Sequence, residues 1–195
     1  MPARSLLSSG LALALCLAGI TQAWAGTIAE TAADIEARIA ADDLDGAILG
    51  ARDVLGQVWD MTQEIGFSDF LLVEQTASGF GIYNPRTTDI FKKGEPVILY
   101  AEPYGFGYAE TDAGVYSIGF FVDLRVMNAA GEVLGDVPGV TELNLTSRLK
   151  IREFPANITY NLTGLEPGKY VLMTTLRDKN SVKAGVFQTT IEIIE

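Results

Sequence analysis

The stretch YSIGFFVDLRV, residues 116–126, decides the fold class of this chain. Its apolar side chains recur at every second position, with polar or small residues among the positions between them. A period of two places alternate side chains on opposite faces of an extended chain. The stretch therefore predicts a half-buried β-strand, whose core-facing residues are Tyr116, Ile118, Phe120, Val122, Leu124 and Val126.

Strand patterns also occupy most of the chain around this stretch, from Phe67 to the end. Residues 128–131 form a turn, and Val133 begins the return strand. Residues 96–101 are apolar on both faces, which is typical of a central strand. Further strands are predicted over residues 143–151, 157–162, 170–176 and 186–194. Seven or eight short strands separated by turns predict an antiparallel β-sandwich over residues 66–195.

The preceding part, residues 26–65, has a helical period and predicts a hairpin of two α-helices. Thr27 has capping-box spacing at the first helix, and Asp42 and Asp43 can cap the second. Gly50 is one of three glycines inside the second helix, where each costs about 1 kcal/mol relative to alanine. Their spacing would let the first helix or a sheet approach closely.

The first 25 residues predict a cleavable secretory signal peptide. Arg4 supplies a thin positive end, residues 11–20 are an apolar run, and residues 23–25 (AWA) form a small-x-small cleavage site. The apolar run is shorter than the roughly 20 residues of a membrane-spanning helix. We expect a periplasmic or secreted protein that keeps no stable membrane anchor after cleavage.

Composition limits the chemistry of the exported chain. The chain has no histidine, and Cys16 is its single cysteine, so cleavage would remove the last thiol. This excludes His-based triads, Cys–His pairs and zinc sites built from histidine or cysteine. We predict no catalytic residue, no metal ligand and no cofactor. A net charge of −11 argues against nucleic acid as a partner, because phosphates require a basic surface.

The aromatic segment EPYGFGY, residues 102–108, is the first candidate binding site. Tyr104, Phe106 and Tyr108 alternate with glycines directly after a predicted buried strand. They could form an exposed stacking platform for a sugar, a peptide or a partner protein. The alternative is that the rings cover one end of the core while the glycines shape a bulge.

Three cations form the second candidate site. Arg148, Lys150 and Arg152 alternate on one face of the strand predicted over residues 143–151 and could bind an anionic ligand. The alternative is an exposed face, or charges that protect an edge strand from pairing with another chain.

Two short motifs resemble those of bacterial immunoglobulin-like modules. LEPGKYVL, residues 165–172, followed by LRD, residues 176–178, is similar to the penultimate hairpin of such modules. FKKGEPV, residues 91–97, is similar to an early strand entry. The resemblance covers about residues 80–195 and implies an immunoglobulin-like β-sandwich in an exported protein, but no activity, because fold does not imply function.

Three functions fit these expectations. The preferred one is a non-enzymatic periplasmic binding or assembly module, whose partner is an envelope protein or a cell-wall component. The second is a carboxylate-dependent enzyme acting on cell-wall or exported polysaccharide, with two acids beside the aromatic segment. The third is a protease inhibitor that presents an exposed loop.

Overall fold

The computed structural model describes residues 21–195, with side chains from residue 28 onward. Within these residues the protein is mainly β, with two N-terminal helices followed by nine strands, which confirms the coarse prediction. The helices are α1 (Thr21–Ala40) and α2 (Leu44–Met61). The strands are β1 (Gly66–Leu72), β2 (Ile90–Lys92), β3 (Val97–Tyr104), β4 (Ala109–Asp112), β5 (Val115–Asn128), β6 (Val133–Ser147), β7 (Ala156–Tyr160), β8 (Gly168–Asp178) and β9 (Ala184–Ile194).

Two local features join the helices. Asp42 has a left-handed backbone with φ of 59°, which ends α1. The Gly46 amide donates to the Asp43 carboxylate at 3.0 Å, so Asp43 is the N-cap of α2. A Cβ at Gly50 would lie 2.8 Å from Cγ1 of Ile35, so the glycine permits the close approach that its position predicted.

The first helix begins earlier than predicted. In the structure, which includes the predicted cleavage site, α1 begins at Thr21 and Thr27 lies within it. Cleavage at the predicted site would remove residues 21–25 from α1. Most of the predicted signal peptide, residues 1–20, lies outside the described residues. No helix within the described part of the chain is long and apolar enough to cross a membrane.

The chain divides into a helical unit that ends at Val58 and a β unit, Trp59–Glu195. This boundary differs from the predicted change at residue 65. The last turn of α2 belongs to the β unit because the Trp59 ring packs edge-on against Phe106, with 4.9 Å between ring centroids.

The β unit contains two sheets. The small sheet has the antiparallel order β1–β3–β7. The large sheet has the order β2–β9–β8–β5, and β6 pairs with β5 while β4 pairs with the start of β5. β2 pairs with β9 in parallel, and the other pairs of this sheet are antiparallel.

Side chains from both sheets form one apolar core. The alternation predicted for residues 116–126 is present in β5, where Ile118, Phe120 and Val122 are buried. Leu99 of β3 and Ile158 of β7 belong to the same cluster. Full burial of such side chains stabilises the folded state by about 1.5–3 kcal/mol each.

β3 is central, as its two apolar faces predicted. Its Leu99 faces the main core, whereas the fully buried Tyr100 contacts Val73 and Ala77 in a second small cluster. The Tyr100 hydroxyl donates to Glu102 at 2.8 Å and accepts from the Gly81 amide at 2.8 Å. The long connection between β1 and β2 therefore covers the second face of β3.

The strand predicted over residues 143–151 ends earlier, because β6 stops at Ser147. The Leu149 amide donates to the Ser147 hydroxyl at 3.1 Å, and the Ile151 amide donates to the Leu149 carbonyl at 2.8 Å. These local bonds turn the chain out of the sheet. Residues 148–155 therefore form a loop, and their alternating sequence does not reflect a strand.

Candidate functional site

The three rings of the aromatic segment have different environments. Tyr104, the last residue of β3, is 45% exposed, whereas Phe106 is 1% exposed and Tyr108 is half-buried. The Phe106 ring contacts the rings of Trp59 and Phe120 edge-on, at centroid distances of 4.9 and 5.7 Å. The expected exposed platform of three rings is therefore not formed, because Phe106 fills the end of the core.

Hydrogen bonds from distant residues hold the backbone of this segment. Nε1 of Trp59 donates to the Phe106 carbonyl at 2.8 Å, and Nζ of Lys183 donates to the Gly105 carbonyl at 2.8 Å. The Gly107 amide donates to the Asp178 carboxylate at 2.6 Å. The segment is thus fixed against the sheet end and is not presented as a free loop.

Tyr108 connects the aromatic segment to the loop after β6. Its hydroxyl donates to the Ile151 carbonyl at 2.7 Å. Burial raises the pKa of Tyr108 to about 12, while the charge of Arg152 opposes this rise and that of Asp60 adds to it. Arg152 and Asp60 therefore both lie within electrostatic reach of this hydroxyl.

The loop brings two of the three predicted cations beside aromatic rings. Nζ of Lys150 lies 5.4 Å from the Tyr116 ring centroid and 5.9 Å from that of Tyr108. Cζ of Arg152 lies 5.9 Å from the Trp59 ring centroid. These distances permit cation–π attraction. We call these five residues the basic–aromatic patch: Trp59, Tyr108, Tyr116, Lys150 and Arg152.

Arg148, the third predicted cation, does not join the patch. It is exposed at the start of the loop and has no hydrogen-bond, ion-pair or ring-contact partner among the described residues. The structure therefore unites part of the aromatic prediction, Tyr108, with part of the cationic prediction, Lys150 and Arg152. Neither set forms a site by itself.

The two cations of the patch have no carboxylate partner in the described part of the chain. Among the described residues, neither Lys150 nor Arg152 has an acidic oxygen within 4.0 Å, although acidic residues outnumber basic ones by 25 to 14 in the chain. On the neighbouring strands, Arg177 pairs with Asp123 at 2.7 Å. Nε of Arg152 is also buried, and none of the described atoms forms a hydrogen bond with it. The patch can therefore supply positive charge and N–H donors to an anion.

The pattern of the sequence does not mark Trp59 and Tyr116 as site residues. Trp59 follows the apolar period of its helix, and Tyr116 was predicted to face the core from its strand. The available signal was residue type, since tyrosine and tryptophan combine an apolar body with a polar end and often lie at partly exposed positions. Among the described side chains, residues 28–195, no three His, Cys, Asp or Glu residues are grouped so that they could hold a metal ion.

The chain matches no protein-family model, and no curated protein matches it.

Proposed function

We propose that this protein is an exported, non-enzymatic binding module of the bacterial periplasm, and that its basic–aromatic patch binds an anionic polymer of the cell envelope. The shared chemistry of such ligands is a repeated carboxylate or phosphate group. The half-buried rings of Tyr108 and Tyr116 beside the cations provide apolar surface for the rest of the polymer. The absence of histidine, and of cysteine beyond Cys16, supports a binding role over a catalytic one.

One observation carries this proposal. Among the residues that the structure describes, Lys150 and Arg152 have no carboxylate partner although the chain is strongly acidic, while other cations of the β unit such as Arg125 and Arg177 pair with acids. An unpaired, partly buried arginine costs free energy in the unbound protein, and an anion would offset this cost. Such a site can bind an anion without any side chain that takes part in a reaction.

The strand order supports an immunoglobulin-like sandwich as the scaffold. In immunoglobulin variable-type domains one sheet carries strands G, F, C and C′ as neighbours, and the other carries A, B and E. The orders β9–β8–β5–β6 and β1–β3–β7 match this arrangement. The basic–aromatic patch then lies where the connection from strand C′ to strand E leaves the larger sheet. Binding sites of these folds commonly use such loops.

Export through the predicted signal peptide, residues 1–25, completes the proposal. It would place the patch where envelope polymers occur. Cell fractionation tests this part separately, because the protein should appear in the periplasmic or secreted fraction with an N-terminus near Gly26.

The binding part is tested with two polyanions and a neutral polymer. Polygalacturonate carries carboxylates, polyphosphate carries phosphates, and dextran carries no charge. We expect the exported protein to bind at least one polyanion, with an affinity that falls as the salt concentration rises, and not to bind dextran. The double variant Lys150→Gln/Arg152→Gln should weaken binding at least about tenfold, which corresponds to about 1.4 kcal/mol.

The matched control removes the same charge elsewhere. Lys92→Gln/Lys169→Gln alters two exposed cations outside the patch and should change the affinity less than about twofold, or about 0.4 kcal/mol. Arg148→Gln should also have a small effect. Equal losses in the patch and control variants would indicate a general charge effect, and failure to bind either polyanion would refute the proposal.

A further inference from the structure

A groove lies between β1 and β9 and shares no residue with the basic–aromatic patch. Its volume is about 510 Å³. Residues 86–89, which precede β2, form one wall. The Arg86 amide donates to the Leu72 carbonyl at 2.9 Å, and the Glu192 amide donates to the Asp89 carbonyl at 2.9 Å. This wall is thus attached to both sheets.

An exposed aromatic ring lines the groove. Phe70 is 42% exposed and stacks on the buried Phe187, with ring centroids 4.9 Å apart and an interplanar angle of 26°. Phe67 also contacts Phe187, although residues three apart in a regular strand face opposite ways. The register of β1 shifts between Phe67 and Phe70. This irregularity turns the Phe70 ring toward the groove.

The remaining lining is rich in neutral hydrogen-bonding groups. Thr87, Thr88, Thr189 and Thr190 contribute hydroxyls, and Gln188 contributes an amide. In the groove lining, the Thr189 hydroxyl oxygen and Nε of Arg86 are both buried without a hydrogen-bond partner among the described atoms. Unpaired buried polar atoms are uncommon, and an ordered water or a ligand hydroxyl beside them would satisfy them.

The net charge of the groove lining disfavours an anionic ligand. Nη1 of Arg86 pairs with Glu95 at 2.9 Å, which neutralises the one cation in the lining. Asp89 also lines the groove and has no ion-pair partner among the described residues. The lining therefore carries an uncompensated negative charge and would repel carboxylate or phosphate ligands. The ligand of this groove must differ in charge from that of the patch.

We propose that this groove binds a neutral oligosaccharide. A sugar presents one C–H face that stacks on an aromatic ring, and its hydroxyl groups both donate and accept hydrogen bonds. Phe70 supplies the ring, Gln188 supplies both donor and acceptor, and Asp89 accepts. The proposal rests on a surface separate from the patch, so either can fail while the other holds.

The test uses amide NMR spectra of the exported, ¹⁵N-labelled protein. Cello-, N-acetylchito- and malto-oligosaccharides are titrated separately to about 10 mM, so that dissociation constants in the millimolar range are detected. At least one should shift the amide signals of residues 86–89 and 188–190 in a saturable way. Phe70→Ala and Gln188→Ala should each weaken that binding at least about fivefold, or about 1 kcal/mol.

Gln188→Ala keeps the test decisive if loss of the Phe70–Phe187 stacking unfolds the first variant, because Gln188 is exposed. Lys150→Gln/Arg152→Gln is the control and should retain the affinity. The proposal is overturned if none of the three sugars shifts these signals, if the shifts lie elsewhere, or if Gln188→Ala binds normally.

Discussion

Tyr160 makes the stability of the folded protein depend on pH, and substitution of this residue should remove its contribution to that dependence. Its side chain is 1% exposed, and its hydroxyl shares a hydrogen bond of 2.9 Å with the hydroxyl of the equally buried Thr174. Burial raises the pKa of Tyr160 from 10.0 to about 12. The folded state thus favours the neutral phenol. Its contribution to stability is complete below pH 10 and is lost as the pH rises toward 12.

The size of the effect follows from the shift. Each pKa unit corresponds to about 1.4 kcal/mol, so between about pH 8 and pH 11 the tyrosine should remove about 1.4 kcal/mol from the free energy of unfolding. Tyr160→Phe has no proton to lose, but it leaves the Thr174 hydroxyl buried and unpaired, at a cost of about 1–2 kcal/mol. The variant should therefore be less stable at pH 8 and nearly equal at pH 11.

The assay is urea unfolding of both proteins across this pH range, followed by circular dichroism. Burial also raises the pKa of Tyr100 to about 12, but Tyr100 is present in both proteins and cancels in their difference. Tyr104→Phe serves as control, because that ring is 45% exposed, and it should change stability little. A stability difference between Tyr160→Phe and the wild type that stays constant with pH would refute the reasoning.

Three further substitutions test other parts of the structure. Asp178→Ala removes a carboxylate that is 6% exposed and accepts a hydrogen bond from a backbone amide of the aromatic segment. The free energy of unfolding, measured by urea titration, should fall by about 2–4 kcal/mol. Trp59→Ala removes the ring packed on Phe106 and should lower the free energy of unfolding by about 3–5 kcal/mol. A change close to zero would mean that the ring does not contribute to the core. Gly50→Val places atoms against Ile35 and should cost the helical unit about 1–3 kcal/mol, seen as lost helical circular dichroism.

Local periodicity was sufficient for much of the fold. The two-residue period of residues 116–126 predicted β5, and the apolar faces of residues 96–101 predicted a central strand. These predictions succeed because side-chain direction follows directly from backbone conformation. The same reasoning failed at residues 148–151. An alternating sequence there lies in a loop, since local hydrogen bonds from Leu149 and Ile151 replace those of a sheet.

The candidate site could be predicted only in fragments. Arg148, Lys150 and Arg152 are equivalent in sequence, yet only the last two lie beside aromatic rings. Tyr104, Phe106 and Tyr108 also alternate regularly, but Phe106 enters the core while Tyr104 stays at the surface. Their different environments depend on Trp59 and on residues of other strands, which no local pattern relates to them.

The sequence by itself determined the acidic charge, the lack of histidine, the single cysteine at position 16 and the mainly β class with two leading helices. These are properties of composition or of short periods. Tertiary structure alone decided which rings are exposed, which cations lack a partner and where the two candidate sites lie. Burial and pairing depend on contacts between residues far apart in the chain, and those contacts exist only once the sheets have packed.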